Sequence, residues 1–164
     1  AGKLPHVVGL RYFNVYGPGE TRKGKMASMV YNLTQQMLSG NNPKIFEHGQ
    51  HQRDQVHVDD VVSCTLAAAK PTARPGIYNL GSGTVTTFND IVDAINDALG
   101  TSMTPEYIPM PEQMVNSYQH YTCADMSETK SGLGWEPEMV PAQAIRQYAA
   151  QLAQDFQKAT ASHA

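Results

Sequence analysis

Hydrophobic residues fall into two patterns in the first part of this chain. Residues 6–13 are almost continuously apolar, which is typical of a strand covered on both faces in a parallel sheet. The next segment repeats its apolar positions at helical spacing and ends at Gly40. The positions of that stripe are Met26, Met29, Val30, Leu33 and Met37. The pattern therefore predicts a buried strand followed by an amphipathic helix.

Short apolar or alternating segments predict further strands. Residues 44–47 form one candidate, residues 55–58 alternate, and residues 76–80 end at the glycines of loop 81–83. Residues 105–109 are bounded by prolines and are expected to be extended.

Capping residues indicate the helices between these strands. Asp59 is expected to cap a helix that ends near Ala69. Thr87 and Asp90 form a capping pattern for residues 88–99, and a glycine follows.

Two more helices are predicted near the end of the chain. Asp125 is expected to cap a short one before Gly132, and Pro141 to open the last one. The predicted buried face of the last helix is Ile145, Tyr148, Ala149, Leu152 and Phe156. Residues after Lys158 are expected to fray.

Alternating strands and helices indicate an α/β fold. A strand like residues 6–13 needs neighbours, and no βα units precede it, so we expect the chain to begin in the middle of a larger fold. We predict that residues 1–18 are a final Rossmann-type strand and turn. Residues 19–158 would be a small mixed α/β substrate-binding domain, and residues 159–164 a tail.

Composition narrows the class of protein. Hydrophobic residues make up 41% and charged residues 16% of the 164, which is ordinary for a globular protein. A net charge of -3 argues against a broad nucleic-acid surface, and no apolar run has the length of a membrane span. Cys64 and Cys123 have no disulfide or metal-site spacing, so we expect buried free thiols and a cytoplasmic location.

Three motifs carry the candidate chemistry: Arg-Tyr-Phe-Asn-Val-Tyr-Gly-Pro at 11–18, Arg-Asp-Gln-Val-His-Val-Asp-Asp-Val at 53–61 and Tyr-Asn-Leu-Gly-Ser-Gly at 78–83. Their order and spacing resemble the C-terminal half of the extended short-chain dehydrogenase/reductases, which are nucleotide-sugar epimerases and dehydratases. Residues 23–28, 43–47 and 107–111 most resemble the branch that epimerises ADP-heptose at carbon 6. The chain has no Gly-rich dinucleotide loop and no Tyr-x-x-x-Lys pair.

The resemblance implies NADP-dependent epimerisation by transient oxidation and reduction, in the synthesis of lipopolysaccharide core heptose. NADP would be held mainly by the N-terminal half, which we expect to be absent here. Lys23 matches a catalytic acid/base that also contacts the cofactor, and Val15 matches a neighbour of the nicotinamide. Such an ammonium needs desolvation or nearby positive charge, and Arg22 and Lys25 are close in sequence. Lys23 could instead be a solvated loop cation.

Arg53 is the strongest substrate-binding candidate, because a diphosphate needs planar donors with several N–H groups. The alternative is an ion pair with Asp54. Asn14 follows the apolar strand, where open α/β sheets contact ligands, and the resemblance gives it a substrate role. A turn-forming Asn is the alternative.

Further substrate contacts come from the resemblance. Phe46, Glu47, His48 and Gly49 match a segment that lines the nucleotide pocket, and Tyr118 matches a substrate contact. Phe46 could equally be core, and Tyr118 a structural residue. Two further substrate positions depart from the family: Lys25 stands where Ser is usual, and Asn32 where His is usual. These departures leave the sugar open.

Other patterns predict no site. His48 and His51 lack an apparent third ligand, so no metal is expected. Asp59 and Asp60 are better explained by helix capping than by catalysis. His57 should be packed or hydrogen-bonded.

Two alternatives to an ADP-heptose epimerase stay open. One is another nucleotide-sugar epimerase or dehydratase of the same superfamily. The other is a non-catalytic module that binds a nucleotide diphosphate or mediates oligomerisation. The resemblance implies a pentamer for the full-length protein, and we expect the isolated chain to be inactive.

Overall fold

A computed structural model describes residues 7–162 as alternating strands and helices. The strands are β1 (Val8–Tyr12), β2 (Asn14–Tyr16), β3 (Lys44–Phe46), β4 (Gln52–His57), β5 (Gly76–Leu80), β6 (Val85–Thr87) and β7 (Glu106–Ile108). The α-helices are α1 (Met29–Leu38), α2 (Val58–Ala68), α3 (Phe88–Leu99), α4 (Glu112–Val115), α5 (Ser127–Leu133) and α6 (Pro141–Ala161). Two short 3₁₀ helices, Glu20–Arg22 and Gly24–Met26, precede α1.

The described strands form three small sheets. β1 pairs in parallel with β5, and β3 pairs in parallel with β7. β4 lies between β2, to which it is parallel, and β6, to which it is antiparallel. The predicted α/β class is confirmed, since parallel pairing is joined through helices as the alternation indicated.

Two hydrophobic clusters form the interior. The helical cluster comprises Tyr16, Val30, Leu33, Met37, Ile45, Phe88, Ile91, Val92, Ala94, Ile95, Ala144, Ile145, Tyr148, Ala149 and Leu152. The strand cluster comprises Val56, Cys64, Ala67, Ala73, Tyr78, Leu80, Leu133 and Trp135.

The capping pattern at the start of α3 is confirmed in full. The Thr87 hydroxyl accepts a hydrogen bond from the Asp90 backbone N–H at 3.0 Å, and the Asp90 carboxylate accepts one from the Thr87 N–H at 2.9 Å. Gly100 ends the helix with φ 64°. The two reciprocal bonds satisfy backbone donors that the first turn of a helix leaves free.

Several predicted element ends are wrong. Met26 was expected on the buried stripe of α1, but it lies in a 3₁₀ helix and is 86% exposed. Helix α1 begins only after its N-cap residue, Ser28. Asp59 does not cap α2, since the His57 ring nitrogen accepts the Asp59 backbone N–H at 3.3 Å. Met126 occupies the N-cap position of α5, although the Asp125 carboxylate does accept the N–H of the first helical residue.

The first strand is less buried than its sequence predicts. β1 has β5 as its one described neighbour, and its residues are half-buried or exposed, Tyr12 at 56%. A continuous apolar run is covered on both faces only where strands and helices lie on each side. Among the described residues, β1 therefore has only part of the cover that its apolar pattern predicts.

The last helix is longer than expected at its end. α6 continues through Ala161, so the predicted fraying after Lys158 is not seen in residues 159–161. Its face predicted to be buried is buried except at Phe156, which is half-buried. No helix of the described residues has the length and apolarity that crossing a membrane requires.

Candidate functional site

A cleft of about 600 Å³ opens beside α1 and the β3–β7 sheet. It brings together four of the side chains predicted to bind substrate: Lys25, Asn32, Phe46 and Tyr118. Apolar lining comes from Met29, Ile45, Phe88 and Ile108. Helix α1 and the two strands thus supply two walls, and the loop after α4 supplies Tyr118.

Aromatic and basic side chains lie around Tyr118. Its ring lies edge-on to Phe46, with centroids 5.9 Å apart, and edge-on to His51 at 5.0 Å. The Arg53 guanidinium carbon lies 5.0 Å from its centroid, within the range of cation–π attraction. Burial raises the pKa of the Tyr118 phenol, while Arg53 opposes that rise.

Arg53 is buried and has few protein partners. Its side chain is 9% exposed, and Nη1 donates to the backbone carbonyl of Gln52 at 2.8 Å. Across residues 7–162 no carboxylate forms an ion pair with it, so the predicted alternative, an ion pair with Asp54, is absent from the described structure. The Asp54 carboxylate instead accepts backbone N–H groups from Ser82, Gly83 and Ala124.

The segment after β3 is held in an unusual conformation. Glu47 has φ 54°, which non-glycine residues rarely adopt, and Gly49 has φ 67°. The Asn89 amide donates to the His48 carbonyl at 2.9 Å, and the Asn89 N–H donates to the Gly49 carbonyl at 3.2 Å. The start of α3 therefore fixes this segment beside the cleft.

Lys23 lies apart from the residues that line the cleft. Its ammonium is 3.4 Å from the Glu20 carboxylate, and its side chain is 47% exposed. The group in contact with the Lys23 ammonium is thus a carboxylate, whereas the sequence analysis expected nearby positive charge from Arg22 and Lys25. Glu20 is 2% exposed, and it also accepts the Ser28 N–H at 2.8 Å and the Ser28 hydroxyl at 2.7 Å.

Asn14 lines a second cavity of about 530 Å³, whose other lining residues are Tyr12, Phe13, Gln119, Tyr121, Thr122 and Cys123. The Asn14 amide donates to the Asp54 carbonyl at 3.2 Å. Val15 is half-buried and packs against the strand cluster. The structure therefore places Asn14 and the cleft residues on separate cavities.

Three buried carboxylates have structural roles that the sequence analysis did not predict. Glu20 ties the loop after β2 to the cap of α1. Asp54 ties β4 to the loop after β5. Asp60 accepts the N–H groups of Glu138 and Met139, each at 3.1 Å. The position of Asp60 near a helix start indicated only capping. Nothing in the local sequence indicated the distant backbone groups that these carboxylates bind.

His120 is also new, because nothing in its local sequence marks it. The structure places it beside Glu47 and His51, within one group of possible metal ligands. The sequence analysis paired His51 with His48, which does not belong to this group. The structure thus gives His51 two candidate co-ligands that its local sequence did not indicate.

The loop Gly81–Gly83 is closed by a side chain of its own fold. It presents backbone N–H groups, but the Asp54 carboxylate accepts those of Ser82 at 2.6 Å and Gly83 at 2.9 Å. A phosphate would have to displace a buried carboxylate from these donors. This loop is therefore a poor place for the phosphates of a dinucleotide.

Comparison with known proteins gives concordant matches. Residues 5–81 match the NAD dependent epimerase/dehydratase family. Over 144 residues the chain is 39% identical to an ADP-L-glycero-D-manno-heptose-6-epimerase of Brachyspira hyodysenteriae, a match that covers 87% of this chain and 45% of that protein. The chain thus spans about half the length of this curated relative.

Two solved structures have the same fold over most of the chain. The ADP-L-glycero-D-manno-heptose-6-epimerase of Helicobacter pylori matches with a TM-score of 0.78 and 34% identity, over 87% of this chain and 43% of that one. The UDP-glucose 4-epimerase of Thermotoga maritima, solved with UDP-glucose, matches with a TM-score of 0.80 and 30% identity, over 91% and 46%.

Proposed function

We propose that this chain provides the sugar-nucleotide side of a nucleotide-sugar epimerase, because its residues 5–81 match the NAD dependent epimerase/dehydratase family. Since the chain spans only part of its relatives, the activity is proposed for the whole protein. We assign to that protein NADP as cofactor, a homo-oligomeric state and a place in heptose synthesis, as the resemblance implies.

The observation that carries this proposal is the joint position of Phe46, Tyr118 and Arg53. Two aromatic rings line the cleft, and a guanidinium with one protein hydrogen bond and no described ion pair stacks on the second ring. An aromatic wall suits a nucleobase, and a planar cation suits a diphosphate. Lys25 and Asn32 add polar contacts for the sugar or phosphate.

ADP-heptose is the preferred substrate in this proposal because two heptose epimerases are among the similar proteins, one of them 39% identical. A specific observation favours a second candidate. The UDP-glucose 4-epimerase has a comparable TM-score and 30% identity, so a UDP-sugar is the rival substrate.

Lys23 is proposed to exchange a proton at its Nζ atom with the hydroxyl oxygen on the sugar carbon that is inverted. Glu20 would hold the ammonium, since their atoms lie 3.4 Å apart and Glu20 itself is fixed by Ser28. Val15 and Lys23 would contact the cofactor, which would supply the transient oxidation and reduction of that carbon when bound.

Calorimetric titration of the 164-residue chain with ADP-heptose, ADP and UDP-glucose tests the proposal. We expect Arg53→Ala to weaken ADP-heptose binding about tenfold or more, because a hydrogen bond to a charged group contributes about 1.5–3 kcal/mol. Arg11→Ala is the matched control, since Arg11 is exposed on β1.

Equal binding by the Arg53→Ala variant and the parent chain would refute the phosphate role. A clear preference for UDP-glucose over ADP-heptose would replace the first substrate by the second. The isolated chain should not epimerise ADP-heptose, and measured turnover would contradict that part of the proposal.

A further inference from the structure

Glu47, His51 and His120 converge on one side of the molecule. One possible ligand atom from each lies within 4.8 Å of the other two. All three line a small cavity of about 180 Å³, together with His48 and Gln50. The group is separate from the residues that line the large cleft, although the Tyr118 ring lies 5.0 Å from His51 and 6.4 Å from His120.

Backbone hydrogen bonds bring the three residues together from distant parts of the chain. The Glu47 N–H donates to the Ile108 carbonyl at 2.8 Å, which fixes Glu47 at the end of β3. The Gln52 N–H donates to the His120 carbonyl at 2.9 Å, and the Thr122 N–H donates to the Gln52 carbonyl at 3.1 Å. The loop that carries His120 therefore lies along the start of β4, next to His51.

His51 is the residue that a purely structural explanation accounts for least well. It is 5% exposed, and its Nδ1 atom has no hydrogen-bond partner. A buried polar atom without a partner costs about 1–3 kcal/mol, so such atoms are rare in folded proteins. Its Nε2 atom is 3.5 Å from the Glu47 carboxylate.

The two imidazole rings lie beside one carboxylate. Their centroids are 4.8 Å apart, and the Glu47 carboxylate is 3.5 Å from the Nε2 atom of His51. Imidazole nitrogens and carboxylate oxygens are both ligands of Zn²⁺.

We propose that Glu47, His51 and His120 bind a divalent transition-metal ion, with Zn²⁺ as the best match to two imidazoles and one carboxylate. Three protein ligands leave a fourth position open, as in zinc sites that bind water or a ligand. Metal–ligand bonds of about 2.0–2.2 Å require the ligand atoms to move slightly closer together. Glu47, at 45% exposure, and the exposed His120 are free to make that movement.

Glu47 is also a candidate substrate contact, so the site is tested by direct metal binding and not by epimerase activity. The 164-residue chain is stripped with a chelator and titrated with Zn²⁺ by calorimetry, and with Co²⁺ by visible absorption. We expect one strong site per chain. Glu47→Gln and His120→Ala should each weaken Zn²⁺ binding more than tenfold, because each removes a ligand from the metal.

His48→Ala is the matched control, because His48 lines the same cavity without belonging to the group. It should keep the affinity of the parent chain, as should Cys123→Ser and the His6→Gln/His163→Gln double variant, which test the other thiol and imidazole donors. If His51→Gln does not fold, as judged by circular dichroism, the two exposed ligands still decide the result. Absence of a strong site, or full affinity in the Glu47→Gln and His120→Ala variants, would overturn the proposal.

Discussion

The helical cluster and the strand cluster differ in how completely their elements are covered. In the helical cluster, α3 packs on α6 and α1, and Ile91, Ile95 and Ile145 are fully buried. In the strand cluster, β5 and α2 bury one face but leave Ile77 at 63% and Leu66 at 64% exposure. Helices that meet on three sides enclose their apolar residues, whereas a two-stranded sheet covered on one face cannot.

This difference indicates where the chain's stability originates. Hydrophobic stabilisation is roughly proportional to the apolar area removed from water, so the helical cluster should contribute most of it. The strand cluster depends more on directed hydrogen bonds, such as the Trp135 N–H to Ser63 at 2.9 Å and the Thr129 hydroxyl to the Asn79 carbonyl at 2.6 Å.

The largest expected effect on stability comes from shortening one isoleucine to alanine in each region. Ile95→Ala should lower the free energy of unfolding by about 2–5 kcal/mol, because it leaves a cavity in the helical cluster. Ile77→Ala, at an exposed position of β5, should cost less than about 1 kcal/mol. Urea denaturation measures both. A similar loss in the two variants would show that the outer face of β5 is covered in solution, and the comparison would fail.

Asp54 should show the next largest effect, because its buried carboxylate holds β4 to the loop after β5 beside the strand cluster. It is fully buried in β4, and its carboxylate accepts N–H groups from the loop after β5 and from Ala124. Asp54→Asn replaces an acceptor by a donor there, so we expect a loss of about 1.5–3 kcal/mol in urea denaturation. The control Asp97→Asn removes an exposed pair with Arg146 and should cost at most about 1 kcal/mol. Equal losses would show that the buried carboxylate stabilises the fold no more than an exposed one.

The smallest effect is a pH dependence that belongs to the strand cluster. Burial, with a contribution from Asp60, raises the pKa of the Cys64 thiol from 9.0 to about 11. Below pH 9 both states keep the proton. Between pH 9 and 11 the unfolded chain loses it first, so stability falls as pH rises, by at most about 1.4 kcal/mol per pH unit.

Comparison with Cys64→Ala between pH 8 and 10 isolates this contribution. Burial also raises the pKa values of Tyr16 and Tyr148 in the helical cluster, and both variants share that dependence. An identical pH profile in the two proteins would mean that Cys64 keeps its ordinary ionisation in the folded chain.

The part of the site that the sequence predicts depends on how far apart its residues lie along the chain. Arg53 lies in a short motif next to a predicted strand, so its candidacy followed from local sequence, whereas that of Phe46 came from the resemblance to a family. The ring of groups around Tyr118 could not be predicted, because it needs the loop after α4 to lie beside β4. The same distance hid His120 from the group with Glu47 and His51.

The sequence by itself determined the α/β class, the order of the elements and the capping of α3, because periodicity and capping act within a few residues. The tertiary structure alone decided that β1 is half-buried, that Lys23 pairs with Glu20 and that Asp54 closes the Gly81–Gly83 loop. These outcomes depend on which distant groups meet, and the free energy of a buried charge or an apolar face is set by those neighbours.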